Sequence, residues 1–152
     1  MKAEDVLNAV KEFVALLEEQ NVVQDREEAL RVALDRLALA SHFAAASLDA
    51  TEYPEPPGVD YEALRERIKP LFPGLGYYNE ALDVSERLGE SKLGTGDAID
   101  DLTDIAKDVQ EVFLRWQVTS ERDALWYFRF GFESHWGRHL RSLQLYLHDR
   151  AF

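Results

Sequence analysis

His135 and His139 stand four residues apart in the stretch Glu133-Ser134-His135-Trp136-Gly137-Arg138-His139. A helix would project both imidazoles from one face, where two ring nitrogens can ligate a metal or anchor a buried polar network. A second series precedes them, because Asp101, Asp104 and Asp108 recur at spacings of three and four and so form a carboxylate ladder along one side of a helix. Like charges at these spacings repel by a few tenths of a kcal/mol per pair, roughly, so something must offset them. A divalent cation would do so, as would arginines of the terminal helix, or water together with the positive end of the helix dipole. The chain contains no cysteine, which removes thiolate nucleophiles and thiolate zinc sites and leaves nitrogen and oxygen as metal donors. Neither Ser134 nor Ser142 stands in a strand-to-helix nucleophile elbow.

Periodicity supplies the elements that would carry these groups. A first amphipathic helix runs from about Glu4 to Glu19, with Val6, Val10, Phe13 and Leu17 in one stripe. A second runs from about Arg26 to Leu48 and becomes apolar nearly all round from Leu37 to Ala46, so it is expected to be central, with His42 mostly buried. Residues 50–60 hold Pro54, Pro56 and Pro57, which remove donors and fix φ, and form a stiff connector. Asp60 caps a short helix ended by Pro73-Gly74, and a further short helix is expected from about Glu80 to Leu88, followed by turn glycines Gly89, Gly94 and Gly96. Asp97 caps a long helix reaching about Gln117, with Asp101 and Asp108 at the edge of its apolar stripe and Asp104 further toward solvent. The last helix is expected to run from Ser120 to His148, with His139 inside its apolar face and His135 on the flank. Gly131 and Gly137 weaken that helix, a sacrifice that fits close approach of another group. The chain thus reads as all-α, a single-domain helical bundle of five to six helices over residues 1–152, with a Pro-rich connector.

Composition narrows the partners. The net charge of −12 opposes nucleic-acid phosphates and anionic membranes. No apolar run approaches a membrane span, and the acidic start Met1-Lys2-Ala3-Glu4-Asp5 is not a signal-peptide core, so the protein is expected in the cytoplasm. Residues 1–114 carry 11 Lys and Arg against 25 Asp and Glu, whereas residues 115–152 carry 6 against 4. A mildly cationic final helix is therefore expected to lie against an acidic neighbour.

Asp100-Asp101-Leu102-Thr103-Asp104-Ile105, Asp123-Ala124-Leu125-Trp126 and His135-Trp136-Gly137-Arg138-His139 together resemble a bacterial family known only as a domain of unknown function, the DUF5063-like small all-helical proteins. Ala106 departs from the tyrosine that such members often carry after the Asp-Ile pair. The resemblance implies a helical fold and a bacterial source, and it brings no activity.

Three functions follow from the residues. The first is a non-enzymatic interaction or structural module, binding an unknown protein partner or itself, with its histidines and aspartates in a buried polar network. The second is a metal-binding bundle in which His135, His139 and His42 supply nitrogen and Asp101, Asp104 or Asp108 supply oxygen to Zn, Mn, Fe or Ni, with metal-dependent hydrolysis as its enzymatic extension. The third is a small-ligand pocket or interface lined by Trp126, Phe128, Phe132 and Trp136.

Overall fold

The computed structural model describes all residues 1–152, and its organising element is one long helix near the middle of the chain. That helix, α4 (Ala98–Val118), packs against most of the other helices. It is preceded by α1 (Ala3–Leu16), α2 (Arg26–Ser41), α3 (Tyr61–Ile68) with a 3-10 turn at Lys69–Leu71, and strands β1 (Tyr77–Ala81) and β2 (Leu93–Asp97). It is followed by α5 (Glu121–Gly131), a π-helical turn at Phe132–Trp136 and α6 (Gly137–Ala151). Asp97 begins α4 by accepting from the amides of Ile99 and Asp100, and Asp25, Asp60 and Ser120 cap α2, α3 and α5 in the same way. Ile99, Leu102, Ile105, Ala106, Val109 and Val112 of α4 are all buried. α1, α3, α5 and α6 bury their own stripes against this face and its flanks, so Phe13, Ile68, Phe128, Trp136 and Leu140 share one core.

The architecture is mostly helical, and the expectation of a purely α fold is corrected by the antiparallel pair β1–β2. The helix expected at Glu80–Leu88 is absent because its apolar residues have nothing to cover them: Leu82, Val84 and Leu88 all face solvent. The chain forms a hairpin there. Gly94 and Gly96, expected in turns, lie in β2 opposite Glu80 and Tyr78. A Cβ at Gly96 would collide with the Tyr78 ring, so this glycine exists to let the ring lie across the strand.

α2 also differs from expectation. It stops at Ser41 rather than Leu48, and its far side is open, with Val32 and Leu39 exposed, so the central place belongs to α4. His42 is exposed at the C-terminal end of α2. Beyond it the chain runs extended to Asp60, fastened where Ser120 donates to Asp49 and Arg122 donates to the carbonyls of Ser47 and Leu48. No helix is long and apolar enough to cross a membrane.

The final helix is interrupted by its π-turn. The Gly137 amide donates to the Phe132 carbonyl, and a Cβ at Gly137 would strike that carbonyl, so only glycine fits there without a shift. Gly131 is constrained less severely, since a Cβ there would lie 2.9 Å from the Trp136 Nε1 of a side chain rather than against backbone. The two glycines thus admit a carbonyl and an indole at close range. Trp136 is wholly buried, so Trp136→Ala is expected to cost about 3 to 5 kcal/mol in urea unfolding, against a change within about 0.5 kcal/mol for exposed Val84→Ala.

Candidate functional site

α4 and the α5–α6 pair run antiparallel from the turn at Thr119–Ser120, which places the early part of α4 beside the start of α6. The spacing of three and four on α4 then meets the spacing of four on the opposing helix. His135 Nδ1 lies 2.6 Å from Asp108 Oδ2, and His139 Nδ1 lies 2.7 Å from Asp101 Oδ1. A carboxylate only accepts, so in both rings the Nδ1 carries the proton and a neutral ring keeps its lone pair on Nε2. Both Nε2 atoms face one residue: His135 Nε2 is 3.7 Å from Asp104 Oδ1, and His139 Nε2 is 3.5 Å from Asp104 Oδ2. The two rings meet edge to face with centroids 5.1 Å apart.

Asp104 therefore sits at the centre of the cluster, although its position relative to the apolar stripe of α4 predicts that it faces solvent. Its side chain is 20% exposed and makes no hydrogen bond, whereas each neighbouring carboxylate has a donor. Tyr61 donates to Asp100, and Tyr78 donates to Asp101 Oδ2 while His139 holds Oδ1. Arg65 pairs with Asp97 at 3.0 Å and Lys107 with Glu111 at 2.7 Å. Asp101 is buried, and the hairpin supplies the group that satisfies it.

Sequence reasoning missed Tyr61, Tyr78 and the Glu80–Ser142 pair at 2.6 Å, which ties β1 to α6. The available signal was Tyr78 between two glycine-bearing segments, but its meeting with Asp101 depends on strand register. Of the residues expected here, Asp101, Asp104, Asp108, His135 and His139 come together and His42 does not. The four aromatics do not line one pocket. Phe128 and Trp136 are fully buried and pack edge to face at 5.0 Å, Phe132 packs edge to face on the same indole, and Trp126 stacks on exposed Phe130 at 4.8 Å.

The electrostatics follow from this geometry. The hydrogen bond to Asp101 raises the His139 pKa above the usual imidazole value, with the charges of Asp104 and Asp101 adding and burial opposing. Burial raises the Asp104 pKa, as do the charges of Asp100 and Asp108, while the two imidazoles oppose them. Tyr78 and Tyr61 are raised by burial and by donation to Asp101 and Asp100 respectively.

The fold and cluster define a class: a small helical domain with an inserted hairpin and a histidine–aspartate centre at a helix–helix seam. The family model "Domain of unknown function (DUF5063)" matches residues 1–151, and the chain belongs to that family. The crystal structure of protein BF1032 from Bacteroides fragilis has the same fold, with a TM-score of 0.74 at 22% identity over 98% of this chain and 91% of that one. None of the curated proteins compared with the chain matches it.

Two pH effects are expected in metal-free protein. A folded pKa above the unfolded value means that the His139 contribution is complete below about pH 6.5 and is lost as pH rises through the folded value. The melting temperature of the wild type should thus fall relative to His139→Gln between about pH 6 and about pH 9. The raised Asp104 pKa has the same sign, so its ionised form at neutral pH opposes folding, and Asp104→Asn should melt higher than wild type in differential scanning calorimetry.

Proposed function

We propose that Asp104, His135 and His139 bind a divalent transition metal, with Asp101 and Asp108 as the residues that orient the two imidazoles. The observation that carries the reading is the convergence of three acceptors on one spot. With both rings neutral, the two Nε2 lone pairs and the Asp104 carboxylate face one another without a donor among them, an arrangement that a bound cation relieves. One ligand atom from each residue lies within 4.8 Å of the others. Two atoms bound to one ion at about 2.1 Å and a tetrahedral angle stand about 3.4 Å apart, close to the 3.5 and 3.7 Å separations here. Hydrogen-bonded carboxylates behind metal-bound histidines fix the tautomer and strengthen the donor, which is the place Asp101 and Asp108 take.

Two imidazoles and one carboxylate suit Zn, Mn, Fe or Ni and leave coordination positions open. Such an ion supplies Lewis acidity and lowers the pKa of bound water toward neutrality, the requirement of hydrolysis. The 47% exposure of the His135 side chain makes the cluster reachable from solvent. A second reading has support in the raised pKa of His139: protons on the rings, rather than a metal, compensate the ladder as a purely structural network.

Elemental mass spectrometry on tag-free protein after incubation with Zn, Mn, Fe and Ni separates the two. The metal reading expects about one ion per chain, lost in His135→Ala/His139→Ala and in Asp104→Asn. It also expects affinity to fall roughly 10- to 100-fold in Asp101→Asn and Asp108→Asn. A metal-free result after every incubation leaves the protonated network.

A further inference from the structure

The hairpin offers a second site that does not depend on a metal. The Leu82 amide donates to the Lys92 carbonyl, and the Ala98 amide donates to the Gly76 carbonyl, so these bonds bracket the β1–β2 ladder. In an antiparallel pair the bonded positions alternate, which turns the backbone groups of Tyr78 and Glu80 onto β2 and those of Tyr77, Asn79 and Ala81 out of the free edge. One protein group reaches that row: Arg138 donates to the Ala81 carbonyl at 3.4 Å.

α6 runs beneath this edge in the opposite direction. Arg138 lies at Ala81, Ser142 at Glu80, and the Tyr146 hydroxyl at the Gly76 amide, 3.0 Å away. Between edge and helix is a groove of about 900 Å³. Its walls leave large apolar groups in water, with Tyr77 74% and Leu145 71% exposed, a combination that marks contact surfaces. Glu80 lines it beside Ser142, which donates to its carboxylate, and the remaining charges are separated along the groove. Arg138 and Arg141, neither of which is within salt-bridge distance of a carboxylate, stand at the Ala81 end, and Asp149 stands about 16 Å further along the helix.

We propose that this groove binds an extended peptide, which adds as a third strand to the free edge of β1 and sets a carboxylate against Arg138 and Arg141. The three outward residues span about 13 Å and present paired donors and acceptors in strand register, an array that recognises backbone. Exposed Tyr77 and Leu145 supply the apolar contact for alternate side chains, and the two guanidiniums, which hydrogen-bond only the Ala81 carbonyl and the Gln144 amide oxygen, supply complementarity to an acidic residue or a chain terminus. A second copy is the poorer occupant, because it brings the whole −12 of another chain, whereas a short peptide brings a single carboxylate to the two guanidiniums.

The test is to pan a displayed library of random dodecapeptides on the protein of residues 1–152 and to measure the selected peptides by fluorescence anisotropy. The expected peptides alternate apolar residues and share an acidic position. Asn79→Pro removes an amide that points away from β2, so the hairpin keeps its ladder while strand addition is blocked, and peptide affinity should fall by about tenfold or more. Arg138→Glu/Arg141→Glu, which leaves the strand intact, should weaken binding by at least about tenfold and abolish the acidic preference. Absence of any enriched peptide, or binding indifferent to both variants, overturns the proposal. So does a concentration-dependent dimer in sedimentation velocity that Asn79→Pro dissolves, which would give the edge to a second copy.

Discussion

Asp104 carries its carboxylate at the seam of two packed helices, with imidazole nitrogens at 3.5 and 3.7 Å and no hydrogen bond of its own. A half-buried carboxylate held this way is a standing cost, because burial and the charges of Asp100 and Asp108 favour its neutral form. The surrounding groups are arranged around that cost. Asp101 and Asp108 are each tied to an imidazole, Asp100 to Tyr61, and Asp97 to Arg65, so every other carboxylate of the ladder is compensated locally. The one left over faces two rings whose orientation is already fixed by their own carboxylates, and it is on this arrangement that the proposed cation site rests.

Backbone irregularities serve the same seam. The π-turn at Phe132–Trp136 lies immediately before α6 and contains His135 itself. Its carbonyl fits against Gly137, and the Trp136 indole fits against Gly131, so the turn that carries His135 is locked into the aromatic core. The indole Nε1 is buried without a partner, a penalty tolerated where the ring fills the core. On the opposite flank, Gly96 makes room for Tyr78, whose hydroxyl reaches Asp101 and through it His139. The hairpin thereby gains a role in the centre through one side chain, while its outer edge stays open.

Much of this was legible in the residues. The spacing of Asp101, Asp104 and Asp108, the four-residue step of the histidines and the caps at Asp60 and Asp97 are local regularities that any helix would convert into shared faces. The glycines at 131 and 137 announced close approach, and the close approach is there. What failed was the stretch from Glu80 to Leu88, where apolar residues at helical spacing have no surface to cover and the chain, leaving β1 at Ala81, bends through the hairpin loop instead. His42 failed for a related reason: the apolar run around it suggests burial, but α2 ends at Ser41 and its outer side has no neighbour.

The sequence by itself determined most of the helices, the caps at Asp60 and Asp97, the carboxylate ladder, the paired imidazoles and the family, because each rests on composition or on spacings within one segment. Tertiary structure alone decided which ladder member faces the rings, since that depends on how α4 and α6 slide past each other, and a shift of one turn would bring another carboxylate there. It also decided that Tyr78 closes on Asp101 and that the odd-numbered residues of β1 turn their backbone groups away from β2. Strand register has a period of two, so a slip of one residue would exchange those roles, and nothing within five residues of strand fixes it without the helices beneath.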